Sequence, residues 1–115
     1  YRAKGGSKIM IKQQNVIELA ERIAQEFHPE RIILFGSSAR GGDTADSDVD
    51  LLVIMPTEGS SLLKAAEIME RICPRIPVDL IVRDPKDVQR RLESNDFFLR
   101  EVIDQGKILY ESTDE

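Results

Sequence analysis

The sequence predicts an α/β or α+β domain, a single mixed β-sheet packed by helices, and two observations carry that expectation. Short apolar runs that end at Gly or Pro alternate along the chain with longer stretches whose apolar residues recur at helical spacing. The chain has 115 residues, enough for one compact domain and too few for two.

The elements follow in order. Ile11, Val16, Ile17, Leu19, Ala20, Ile23, Ala24 and Phe27 recur at helical spacing with polar residues between them, a first amphipathic helix ended by Pro29. Arg31–Phe35 is a short apolar run stopped by Gly36, a buried strand. Ser37 to Gly41 suits a helical turn, and Gly41 to Ser47 is rich in turn residues. Val49 to Met55 reads as a second buried strand closed by Pro56. Ser60 or Ser61 caps the next helix, which carries Leu62, Leu63, Ala66, Ile68, Met69 and Ile72 and stops before Pro74. Val78 to Val82 is a third strand, followed by helices near Lys86–Leu92 and Asp96–Gln105 with Gly106 as C-cap. Ile108–Tyr110 suits a short last strand. The order of strands in the sheet is not legible from this pattern.

Composition narrows the function classes. Hydrophobic residues make up 41% and charged residues 32%, which is globular rather than disordered. The longest apolar run, Leu51–Met55, falls far short of the ~20 residues of a membrane span. No signal-peptide pattern opens the chain, so a cytoplasmic location is expected. The single cysteine, Cys73, excludes an internal disulfide framework and any multi-cysteine zinc site, and is expected to be a small buried residue. Residues 1–9 read as a linker or tag remnant ahead of a domain at 10–115. Setting aside Tyr1 to Lys8 removes three of the 16 basic residues and none of the 21 acidic ones, which moves the net charge from −5 to −8. That balance disfavours an unaided grip on nucleic acid.

The chemistry is concentrated between Phe35 and Val53. A strand that ends in Gly36-Ser37 and runs into a helical turn offers free backbone N–H groups and a hydroxyl to an anion, with phosphate the natural guest. A P-loop is excluded, because Gly42-Asp43 stands where Lys and Ser/Thr are required after the G-x-x-x-x-G of Gly36–Gly41. Asp48 and Asp50 flank Val49, so on a strand both carboxylates project from one face while Val49 enters the core. Such a pair suits Mg²⁺ that also grips substrate phosphates. A calcium loop counted from Asp46 fails, because Leu51 and Thr57 stand where the EF-hand needs Gly and Glu. Asp79 is the only charge in Ile76–Val82, and a carboxylate in an apolar strand is costly unless paired or metal-bound. Beside the second strand it would complete a three-carboxylate cluster, able to hold two metals for an in-line phosphoryl displacement. The competing reading is an edge-strand carboxylate facing solvent.

Gly36-Ser37, then Asp48-x-Asp50, then Asp79 in a later strand resembles the DNA polymerase β-like nucleotidyltransferase superfamily. Within it, Gly-Ser-Ser-Ala-Arg-Gly followed by Ser-Asp-Val-Asp-Leu-Leu-Val, with the closing Gly106–Glu111, is similar to the minimal nucleotidyltransferases. The resemblance runs from about Met10 to Glu111 and implies the polymerase β-like fold. It implies that Ser37 and the backbone around Gly36 hold the β- and γ-phosphates of a nucleoside triphosphate, ATP first among them. It implies Asp48 and Asp50 as Mg²⁺ ligands, with Asp79 completing the metal site and helping to activate an acceptor hydroxyl. The α-phosphate is then attacked, a nucleoside monophosphate is transferred and pyrophosphate leaves. Minimal members often pair with a helical HEPN-domain toxin, which the nucleotidyltransferase neutralises as antitoxin by adding AMP. Two other functions fit the same residues: a binding module that masks a partner, and a transferase acting on a small molecule such as an aminoglycoside.

The remaining polar residues have plainer readings. Arg40 would touch phosphate, or else face solvent or pair with an Asp. Asp43 and Asp46 read as loop solubilisers, His28 as a helix-end cap or exposed residue. Arg71, Arg75, Arg83, Arg90 and Arg91 are interrupted by Asp84 and Asp87 and read as scattered surface.

Overall fold

Four helices and four strands follow one another in the computed structural model, which describes residues 8–36 and 49–112, with side chains from Gln14 onward. The order is α1 (Lys8–Phe27), β1 (Arg31–Phe35), β2 (Val49–Ile54), α2 (Ser61–Ile72), β3 (Val78–Arg83), α3 (Pro85–Glu93), α4 (Phe97–Gln105) and β4 (Lys107–Glu111). The strands form one sheet in the order β3-β2-β1-β4. β1 lies antiparallel to both β2 and β4, whereas β2 and β3 run parallel, so the sheet is mixed. The parallel pair is joined through α2, as a parallel connection requires a crossover.

Both faces of the sheet are covered, which is why β1 and β2 read as nearly continuous apolar runs rather than alternating ones. On one face, Val49, Leu51 and Val53 of β2 pack with Val16, Leu19, Ala20 and Ile23 of α1 and with Ala65, Ile68 and Ile72 of α2. On the other, Ile33, Leu52 and Ile54 meet Val88 of α3 and Leu99 and Val102 of α4. A slip of β2 by one residue would put Asp50 into the first of these cores in place of Val49 or Leu51, both fully buried. Each displaced side chain forfeits about 1.5–3 kcal/mol of burial, and the carboxylate adds a larger penalty. The core thus dictates the face on which Asp50 emerges.

Several boundaries differ from the sequence reading for local reasons. α1 already begins at Lys8, inside the stretch read as a linker. Ser60 is the N-cap of α2, its hydroxyl accepting from the Leu63 N–H. The helix turns Ala65 rather than Ala66 inward and leaves Leu62 and Leu63 exposed, because a helix of this pitch on a single sheet buries only one stripe. Cys73 is exposed, not buried: it caps α2 in the left-handed conformation (φ 49°) and donates its N–H to the Met69 carbonyl. His28 also has positive φ (52°) and is exposed, where α1 turns into the buried Pro29. Gly106 ends α4 with extended backbone, its N–H bonded to the Val102 carbonyl. It is a matter of space there, since a Cβ would lie 2.6 Å from Ile33 Cγ2 and 2.8 Å from the Leu34 carbonyl oxygen.

Three aspartates order the segment that carries α3 and α4. Asp84 accepts from the N–H groups of Thr57 and Lys86 at 2.9 Å each, tying the segment after β2 to the start of α3. These N–H groups, Thr57 first, hold its carboxyl below the ordinary value of 3.8. Asp96 caps α4 by accepting from the Leu99 N–H, which lowers its pKa likewise. Burial alone would raise Asp87, but its bonds to Arg91 and Arg90 outweigh that and lower it. A carboxyl whose folded pKa is depressed contributes stability that is present above its unfolded value and lost as pH falls through its folded one. Urea unfolding midpoints are therefore expected to hold from about pH 6 to about pH 4 and to drop by about pH 3. Asp96→Asn should show a shallower drop over that range, because its cap no longer titrates.

Candidate active site

β1 delivers the chain to Gly36, which adopts φ +81°, a region that favours glycine. A Cβ there would collide with the Asp50 carboxylate, standing 3.3 Å from its Cγ. The turn thus brings bare backbone directly against the Asp50 side chain. In β2, Asp50 is half-buried and follows the fully buried Val49. Parallel pairing of β2 with β3 makes Asp50 and Asp79 Cα partners, so both side chains leave the same face, rooted about 4.8 Å apart. Two carboxylates on one face at paired register positions are a hard oxygen donor set, so these residues fit a divalent cation such as Mg²⁺.

Antiparallel pairing of β1 with β2 sets Phe35 opposite Asp50. Asp79, Asp50 and Phe35 therefore form one row across three strands on the face that carries α3 and α4. Asp79 lies on an edge strand and is exposed, whereas Val82 further along the same strand is buried. Asp79 thus faces solvent and stands in register with Asp50.

Of the residues singled out by sequence, Gly36, Asp50 and Asp79 come together at this end of the sheet. Ser37, Arg40, Asp43, Asp46 and Asp48 lie outside the described residues. Among the described residues no group of three or more His, Cys, Asp or Glu side chains is placed to hold a metal ion, the third carboxylate of the expected cluster being Asp48. The arginines are scattered as expected: Arg71 pairs with Glu26, and Arg90 and Arg91 pair with Asp87. Among the described residues no helix is long and apolar enough to cross a membrane.

Sequence reasoning passed over the α4 side of the site. Phe98 meets Phe35 edge to face, with ring centroids 5.6 Å apart. Phe98, Glu101, Val102 and Gln105 line a cavity of about 200 Å³ together with Phe35, Gly36 and Gly106. Their spacing along α4 was a visible signal, but a helical stripe does not reveal which strand it covers.

Among the described residues, a mixed sheet with two helices on each face carries a glycine turn against in-register carboxylates, the arrangement expected of a nucleotidyltransferase domain. The chain belongs to the polymerase beta, nucleotidyltransferase family, whose model matches residues 17–115, in agreement with its motif resemblance to the minimal nucleotidyltransferases. Among solved structures it is similar to a candidate nucleotidyltransferase from Sulfolobus solfataricus, with 27% identity and a TM-score of 0.59 over 77% of this chain and 82% of that one. A toxin–antitoxin crystallised with AMP-PNP shares the fold at 22% identity and a TM-score of 0.50, over 88% of this chain and 74% of that one. No curated protein matches the chain.

Proposed function

We propose that the chain is a Mg²⁺-dependent nucleotidyltransferase that moves AMP from ATP to a hydroxyl of a partner protein, as the antitoxin of a pair with a helical HEPN-domain toxin. The observation that carries this reading is the in-register pair Asp50 and Asp79 beside the positive-φ turn at Gly36. Gly36, lacking a side chain, lets the backbone of the turn lie against the Asp50 carboxylate, so that phosphate held by the turn would sit beside that acid. Asp50, Asp79 and the neighbouring Asp48 would hold the metal, with Ser37 and Arg40 on the phosphates. Bound Mg²⁺ would stabilise the charge that develops on the phosphate oxygens.

The acceptor oxygen attacks the α-phosphorus, the bond from that phosphorus to the bridging oxygen of the β-phosphate breaks, and pyrophosphate leaves. Asp79 would orient the acceptor hydroxyl and take its proton. Its exposure on an edge strand suits an acceptor that arrives on another macromolecule. The toxin–antitoxin of the same fold crystallised with AMP-PNP supports both the nucleotide and the kind of partner.

The test is titration of the purified chain with ATP by calorimetry, with and without Mg²⁺, followed by transfer to the product of the adjacent gene. Tight binding that requires Mg²⁺, and labelling of the partner that Asp79→Asn lowers by at least about a hundred-fold, is the expected result. Equal labelling by wild type and Asp79→Asn would overturn the role given to Asp79. A variant lacking transfer that still neutralised the partner fully would point to masking instead.

A further inference from the structure

The cavity between α4 and the end of β1 joins the carboxylate row through Gly36, which lines the one and touches the other. It therefore begins where the proposed phosphate turn begins. At about 200 Å³ it is smaller than the roughly 300–1,000 Å³ of pockets that enclose whole drug-sized ligands. One flat group fits, not a nucleoside together with its acceptor.

The lining is divided in character. Phe35 and Phe98 supply aromatic surface and Val102 an apolar floor. Glu101 and Gln105, one helical turn apart, are the polar groups at the rim. Phe98 is 44% exposed, a large aromatic side chain left partly open at the cavity. An aromatic wall suits the π-face of any base, and the carboxylate chooses among bases. It accepts a hydrogen bond from an exocyclic amino group, which adenine and cytosine carry where guanine and uracil carry a carbonyl. A carbonyl oxygen facing Glu101 would meet a second acceptor instead.

We propose that this cavity is the nucleobase site of the enzyme, with Phe98 and Phe35 as the stacking surface and Glu101 as the residue that selects an amino-bearing base. The inference rests on the nucleotide-transfer reading above and deepens it. Gln105, with one acceptor and two donors on its amide, would meet a ring nitrogen beside that amino group.

Calorimetry of the full chain with Mg²⁺ and ATP, CTP, GTP, UTP or inorganic tripolyphosphate tests it. ATP and CTP are expected to bind about ten-fold or more tightly than GTP and UTP, and tripolyphosphate more weakly than ATP. Glu101→Gln should cut the preference for ATP over GTP by about ten-fold, since its amide can donate to a carbonyl. Phe98→Leu, which keeps apolar volume, should weaken all four nucleotides roughly five-fold or more and leave tripolyphosphate unchanged. Equal affinity of ATP and tripolyphosphate overturns the base site while leaving the transfer reading intact. Unaltered base preference in Glu101→Gln overturns the role of Glu101. Failure of every triphosphate, tripolyphosphate included, to bind would overturn the transfer reading and this inference with it.

Discussion

Asp50→Asn is expected to lower the rate of AMP transfer by about a thousand-fold or more while leaving the fold intact. The rate effect follows from removing one of two in-register carboxylates from the proposed metal site. Charge stabilisation by a catalytic metal amounts to several kcal/mol, and each 1.4 kcal/mol is about ten-fold in rate. Asn matches Asp in shape, and the position is only half-buried, so the strand and the core beneath it are kept. A thermal melt recorded beside the rate of label transfer should therefore show a cooperative transition like that of the wild type. Undiminished transfer in a folded Asp50→Asn protein would remove Asp50 from the site.

Gly36→Ala acts on both stability and chemistry. A non-glycine residue held at φ +81° costs on the order of 1–3 kcal/mol. The added methyl also meets the Asp50 carboxylate, so either the turn or the side chain must shift. Misplacing a reacting group by ~1 Å can lower a rate about a hundred-fold, which is the loss of transfer expected here. Gly59 provides the control, because a Cβ at that position has no heavy atom within 4 Å. Gly59→Ala should be close to neutral in urea unfolding and in transfer, whereas Gly36→Ala should fall in both. Equal behaviour of the two variants would show that the Gly36 turn does not shape the site.

The strands were the most legible part of the fold. β1 reads in sequence as Arg31–Phe35 stopped by Gly36 and occupies those residues, because a doubly covered strand is apolar along its middle and a glycine with positive φ ends it. Helix faces were less legible. Leu62 and Leu63 match a helical stripe as well as Ala65 does, yet they lie off the buried stripe of α2 and are exposed. Cys73 shows a different limit: apolar character suggested burial, but a left-handed cap at the end of α2 carries its side chain outward.

Within the site, Asp50 was legible because its neighbours Val49 and Leu51 had to be buried, which leaves only one face for the acid. The meeting of Asp79 with Asp50 depends on strand order and parallel register, and neither is encoded in a local pattern. Phe35 and Phe98 meet through a helix that returns from the far end of the chain, a contact across 63 positions that periodicity does not reveal.

Nucleotidyl transfer differs from phosphoryl transfer, and from binding alone, in which phosphate of ATP ends on the partner. ATP labelled at the α-phosphate and ATP labelled at the γ-phosphate, each incubated with the chain, Mg²⁺ and the purified product of the adjacent gene, separates these directly. Label from the α-position, and none from the γ-position, is expected to become covalently attached to a hydroxyl of the partner. Label from the γ-position, or stable association of the two proteins with no label from either, would contradict it.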